Sequence, residues 1–196
     1  MVVILIIDNY DSFTHNLYQL AGEILRDDGM DEEIMVLRND EARISDLRAL
    51  DPEKIIISPG PGNPSRRSDF GVCMDVIGEF RDRPLLGVCL GHQGIFHAFG
   101  GRVDQGEPVH GKIVEVFHDG SELFRDVPNP FRATRYHSLI CRPEDTPADI
   151  EVTAVTSDEI IMAIKHREYP VYGLQFHPES AGTPSGRTVI RNFLRM

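Results

Sequence analysis

Three short stretches of the 196-residue chain gather side chains that can do chemistry. The first is GVCLGHQ at 87–93, where Cys89 stands between Gly87 and Gly91 on the passage from an apolar run to a helix-like one. A thiol in a G-x-C-x-G corner has the form of a nucleophile elbow with cysteine in place of serine. Such a turn is sharp, and the two glycines remove side chains that would collide there. The helix that follows opens with unpaired N–H groups and positive potential, which favour a thiolate. The Leu90 N–H would face an oxyanion formed beside the sulfur. Taken alone, the pentapeptide also fits a core cysteine whose glycines serve packing.

A thiol nucleophile needs a base, and among eight histidines the candidates are His92, His97, His137 and His177. The second stretch, QFHPES at 175–180, singles out His177. Pro178 biases it toward an extended conformation, and in an extended segment residues i and i+2 share a side. His177 and Glu179 can therefore point together, the carboxylate fixing the imidazole tautomer and stabilising its cation. His92, three residues after Cys89, is the rival base. Gln93, four residues after Cys89, shares a helical face with it and could bond a substrate; the alternative is a loop-bracing amide. The third stretch is SPGPGNP at 58–64, a rigid turn with backbone N–H groups exposed at Gly60 and Gly62. It could supply a second oxyanion donor or be a plain tight turn. Cys73, on a helix's apolar side, reads as packing, and Cys141 carries no motif.

These residues need a scaffold. VVILIID (2–8), EIMVL (33–37), KIIIS (54–58) and PLLGVC (84–89) are apolar runs with the look of strands covered on both faces. Between them lie a helix marked by Leu17, Leu20, Ala21, Ile24 and Leu25, ending before Gly29, and another marked by Phe70, Met74, Ile77 and Phe80. Strand–helix alternation implies a parallel sheet with helices on both faces and ligands at the strands' carboxyl ends. In that frame SPGPGNP and Cys89 share one sheet edge. The second half reads as strands on short turns: KIVEVF (112–117), FRATRY (131–136), IEVTAVT (150–156), IIMAIKH (160–166) and VYGLQF (171–176), closed by a helix at RTVIRNFL (187–194). The expectation is one α/β domain over residues 1–196, with a mixed, mostly parallel sheet and an antiparallel portion in the C-terminal half.

Composition bounds the function. The hydrophobic fraction of 41% and charged fraction of 26% are those of a globular protein, and the formal charge of −11 argues against sequence-independent nucleic-acid binding. Three widely spaced cysteines make neither a disulfide framework nor a zinc pattern, so reduced thiols in a cytoplasmic protein are expected. No apolar run reaches the roughly 18 residues of a membrane span, and MVVILII, lacking a basic lead, reads as a buried strand. The histidines lack H-E-x-x-H-like spacing, so no metal and no cofactor is expected.

Together PGPG (59–62), GVCLGHQ (87–93), YHSL (136–139) and FHPES (176–180), in this order and spacing, resemble the class I, triad-type glutamine amidotransferases. The resemblance implies a flavodoxin-like three-layer αβα fold, L-glutamine as substrate, and hydrolysis through a γ-glutamyl thioester. It makes Cys89 the nucleophile, His177 the general base and acid, and Glu179 its orienting partner. It puts Gly60 and Leu90 in the oxyanion hole, and Gly60, Gly62, Gln93, Ser138 and Leu139 around the glutamine. DNYDSFTHNL (8–17), HGK (110–112) and PNPFRATRYHSL (128–139) are similar to the small subunit of anthranilate synthase, or of its aminodeoxychorismate relative. That implies a partner protein, a separate chorismate-binding synthase subunit, faced by loops that include NYDSFT and the HGK region. AGTPSGR after HPES departs from the continuation common in that group. A non-enzymatic flavodoxin-like protein, with DNYDSFTHN wrapping a phosphate, is the reading from another class; it lacks the glycines of a phosphate loop.

Overall fold

The computed structural model describes residues 2–196, so Met1 of the first apolar run lies outside the described residues. That run is strand β1 (Val2–Asp8). Successive strand side chains point to opposite faces, and β1 uses both. Ile4 and Ile6 enter one core with Leu17, Ala21 and Ile24. Leu5 and Ile7 enter the other with Ile55, Ile57, Phe70 and Phe96. Two cores, one on each side of a sheet, make the three layers.

After β1 come α1 (Thr14–Asp28), β2 (Glu32–Arg38), α2 (Ile44–Leu50), β3 (Lys54–Ile57), α3 (Arg67–Phe70), α4 (Cys73–Glu79), β4 (Leu85–Val88) and α5 (Leu90–Ala98). Then follow β5 (Val103–His118), β6 (Phe131–Cys141), β7 (Ile150–Thr156), β8 (Ile161–His166), β9 (Val171–Leu174) and α6 (Gly186–Leu194). The nine strands form one sheet in the order β2-β1-β3-β4-β9-β8-β7-β5-β6. From β2 through β9 the neighbours are parallel; from β9 outward they are antiparallel. The sheet is mixed, as expected, with four ladders of each kind.

Helix α1 stops where expected. Gly29 takes a left-handed φ of 67° and turns its N–H back to the Leu25 and Arg26 carbonyls. Helix α6 lies against α1, with Val189, Ile190 and Phe193 buried. Arg187 reaches Asp27 at 2.6 Å and Arg195 reaches Asp28 at 2.9 Å. Such exposed pairs contribute at most about 1 kcal/mol each, so the buried apolar face holds the helix.

Several local expectations need correction. The helix from Phe70 to Phe80 is two helices, broken at Gly71 (φ 51°), where an added Cβ would collide with the Asn39 carbonyl. Helix α2 was not anticipated, because Leu47 is its one buried residue and leaves no apolar period. Strand β5 starts at Val103, nine residues before the expected run, and β6 continues through Ser138 and Leu139 to Cys141. HGK is therefore strand, not loop: His110 pairs with Tyr136 and Lys112 with Arg135, across a bulge at Gly111. Gly106, Pro108 and Gly111 read as turn signals, but here they mark register shifts in one long ribbon. Strand β9 ends at Leu174 rather than 176, and the chain beyond it stays tied: Gln175 N–H bonds the Met162 carbonyl and His177 N–H the Thr134 carbonyl.

Candidate active site

The β4–α5 corner is as tight as the glycines imply. Cys89 caps α5 with φ 52° and ψ −98°, a conformation that costs a side-chain-bearing residue on the order of 1–3 kcal/mol. Its surroundings impose that angle. The Cys89 N–H bonds the Leu174 carbonyl of β9 at 2.7 Å, and its carbonyl accepts from Gln93 at 3.0 Å. A Cβ on Gly87 would strike the Gly91 carbonyl group, and one on Gly91 would strike the Ile57 carbonyl. Strand β3, strand β4 and helix α5 thus close on one another without side chains between them.

His177 and Glu179 meet as expected, but through a turn rather than an extended segment, the Ser180 N–H bonding the His177 carbonyl at 3.3 Å. Nδ1 lies 2.6 Å from Glu179 Oε1, with the two side chains 3% and 0% exposed. The carboxylate can only accept, so Nδ1 carries the proton and Nε2 is the basic nitrogen. Nε2 is buried without a hydrogen bond of good geometry, while the neighbouring Cys89 sulfur favours its protonation. Burial is the strongest single influence on this ring and opposes its charge. Hydrogen bonding and charge from Cys89 and Glu179 together outweigh it and push the pKa up to about 10. Phe13 and Tyr136 meet the imidazole in T-shaped contacts at centroid distances of 5.6 and 5.1 Å, fixing its orientation.

The other histidines are placed differently. His92 is fully buried against the sheet, Nε2 3.3 Å from Cys141 Sγ and its Nδ1 beneath Gly173. Burial, chiefly, lowers its pKa to about 3, so the rival base is a neutral core histidine. His137 accepts the Arg135 Nε–H at 2.9 Å and is lowered to about 4 by burial and then by the Arg135 charge. His97 lies in the last turn of α5, beside Gly100 and Gly101. All three cysteines are free and buried, and burial pushes the thiols of Cys73 and Cys141 upward.

A cavity of about 190 Å³ opens over the elbow, lined by Gly60, Gly62, Cys89, Gln93, Ser138 and Leu139 among others. At about 30 Å³ per water it has the room of about six waters. Every expected substrate-side residue lines it; His177 and Glu179 stand behind the sulfur, outside the lining. Leu90 is the first residue of α5, ahead of the first intrahelical bond. The Gly60 N–H makes no hydrogen bond to another described residue. The PGPG turn is braced from below: Asn9 N–H donates to Ser58 Oγ at 2.9 Å, and Asn39 Nδ2 donates to Asn9 Oδ1 at 2.8 Å. A larger cavity of about 870 Å³ beside α1 and β2 is lined by Tyr18, Gly22, Met30 and Ile34 and holds none of these groups.

Sequence reasoning missed Gln175, Tyr136, Phe13 and Asn9. Gln175 was findable, since it sits two residues before His177 and the same period-2 rule applies. The aromatic pair reaches His177 from two distant elements, and no local signal announces that. The phosphate-loop reading loses its donors: Asp8 Oδ1 takes the Asp11 N–H and the Thr14 hydroxyl, and Asp11 Oδ1 takes the Phe13 N–H. Among the described residues no group of three or more His, Cys, Asp or Glu could hold a metal ion, and no helix is long and apolar enough to cross a membrane.

A thiol on a strained corner, a carboxylate-held imidazole behind it and free backbone N–H groups in front define a class, and the family model Glutamine amidotransferase class-I matches residues 5–196. The chain belongs to that family. More particularly, it is 98% identical over 196 residues to anthranilate synthase component 2 of Methanothermobacter thermautotrophicus, covering all of both chains. Aminodeoxychorismate synthase component 2 of Escherichia coli is 46% identical over 194 residues, covering 98% of this chain and 99% of that one. A solved structure from Thermoplasma acidophilum, described as that of a GMP synthase subunit, superposes with a TM-score of 0.80 at 25% identity, covering 100% of this chain and 93% of that one.

Proposed function

We propose that the chain is the glutaminase subunit of an anthranilate synthase, hydrolysing L-glutamine and passing ammonia to a separate chorismate-utilising subunit in tryptophan biosynthesis. The observation that carries the chemistry is the 2.6 Å His177–Glu179 pair standing behind Cys89. Near-identity along the whole chain with an anthranilate synthase component 2 supports the acceptor. The three unpaired cysteines accord with a cytoplasmic location.

Cys89 Sγ attacks the side-chain amide carbon of glutamine as a thiolate, its proton resting on His177 Nε2. The Gly60 and Leu90 N–H groups stabilise the oxyanion. The imidazolium returns its proton to the departing nitrogen, releasing ammonia and leaving a γ-glutamyl thioester. Water, deprotonated by His177, then attacks the thioester, giving glutamate and the free thiol. Gln93 directs both amide hydrogens inward, to Leu139 O and Gln175 Oε1, so its Oε1 is left to accept from the substrate's ammonium. Gly62, Ser138 and Leu139 wall the rest of the glutamine.

The test is product formation by the complex with its chorismate-utilising subunit. Cys89→Ser is expected to abolish glutamine-dependent synthesis and keep ammonia-dependent synthesis; glutamine-dependent activity retained in full would falsify the assignment. Anthranilate as product supports the proposed acceptor. Aminodeoxychorismate would instead assign the chain to the second reading, which rests on relatives of lower identity.

A further inference from the structure

A chain of buried amides runs from the wall of the cavity to the sulfur. Its first link is unambiguous: the Leu139 carbonyl can only accept, so Gln93, 3.0 Å away, must present its NH2 to it. The second hydrogen of that NH2 goes to Gln175 Oε1 at 3.1 Å. Gln175 is then obliged to turn its own NH2 the other way, and Nε2 lies 3.6 Å from Cys89 Sγ. Gln93 and Gln175 are 3% and 0% exposed, so neither amide can turn over and let solvent satisfy it. One backbone carbonyl on β6 therefore dictates that the sulfur faces a donor.

We propose that Gln175 is a positioning residue, an oriented N–H donor that holds the Cys89 sulfur and stabilises its thiolate through the Leu139–Gln93–Gln175 relay. The proposal rests on the reading of Cys89 as the nucleophile. A donor at the sulfur acts most strongly on the ionised thiol and weakly on the thioester, so it favours the attacking species over the acylated one. Because Gln93 also borders the substrate, occupancy of the cavity and ionisation of the thiol are linked through a single pair of side chains.

The experiment is the pH dependence of Cys89 alkylation by iodoacetamide in the full-length protein, followed by mass spectrometry of the Cys89 peptide, with glutaminase activity read in parallel. Gln175→Met keeps the length and removes the donor, and its alkylation midpoint is expected to rise by about one to two pH units. Gln175→Glu sets a carboxylate against the sulfur and is expected to raise the midpoint further. Gln93→Met, which frees Gln175 to turn, is expected to raise it less than Gln175→Met and serves where the Gln175 variants do not fold. Midpoints unchanged in every folded variant, with alkylation of Cys89 still inactivating the enzyme, would overturn the role of Gln175 alone. Wild-type activity surviving complete alkylation of Cys89 would overturn the nucleophile itself.

Discussion

At Gly60 the missing side chain is a matter of space. An added Cβ would stand 2.5 Å from Asn9 Cβ and 2.9 Å from Leu90 Cδ2, so it would push the PGPG turn away from both its support and Leu90, the other proposed oxyanion donor. Gly60→Ala is therefore expected to lower kcat for glutamine by about 10²–10³, the usual cost of one oxyanion donor, with an intact far-UV spectrum. Steady-state glutaminase kinetics check this; a wild-type kcat would remove Gly60 from the oxyanion hole. The pairing of His177 with Glu179 was legible because the two lie within one short local segment, although a tight turn rather than extended chain brings them together. Tyr136 and Phe13 were not, because their meeting over His177 depends on a strand and a loop about 120 residues apart closing on one site.

The β4–α5 unit makes its own prediction. Gly87→Ala would drive a Cβ into the Gly91 backbone and to 2.7 Å from the His92 nitrogen, none of which can give. Overpacking of this kind costs about 1–3 kcal/mol, a fall in Tm of several degrees at about 2–4 °C per kcal/mol for a chain of this size. Gly78, in α4, is the contrasting case: nothing lies within 4 Å of its added Cβ. Gly78→Ala is expected to stabilise by about 0.5–1 kcal/mol through helix propensity. Calorimetry on the pair checks both signs. The parallel half of the sheet was legible because strands covered on both faces are written as unbroken apolar runs such as VVILII and KIII. The β5–β6 ribbon was not: most of β5 is open to solvent, and its glycines and proline carry bulges that look like turns.

For the whole molecule, the buried histidines set the pH range of stability. His92 and His137 have folded pKa values near 3 and 4, below the 6.5 of the unfolded chain. Between pH 6.5 and 4 the unfolded chain binds protons that the folded one refuses, so stability is full above 6.5 and falls as the pH drops toward 4. His177, raised to about 10, has the opposite sign: its contribution is full below pH 6.5 and is lost as the pH rises through 10. Each group supplies a slope of at most about 1.4 kcal/mol per pH unit, and the histidine contribution peaks near pH 6.5. Urea titrations across pH check this, and His137→Gln is expected to flatten the histidine slope on the acid side. The fold that brings these groups together also holds its outermost ribbon unevenly. The β5–β6 ribbon is fastened to β7 through Val116–His118 and packs by Val103 and Cys141 against the core below α5. Its middle, where register slips twice, lies over the cavity and supplies Tyr136, Ser138 and Leu139. Anything docked on the outer side of this ribbon would therefore bear on Tyr136, Ser138 and Leu139, which wall the pocket, rather than on the parallel strands that carry the thiol.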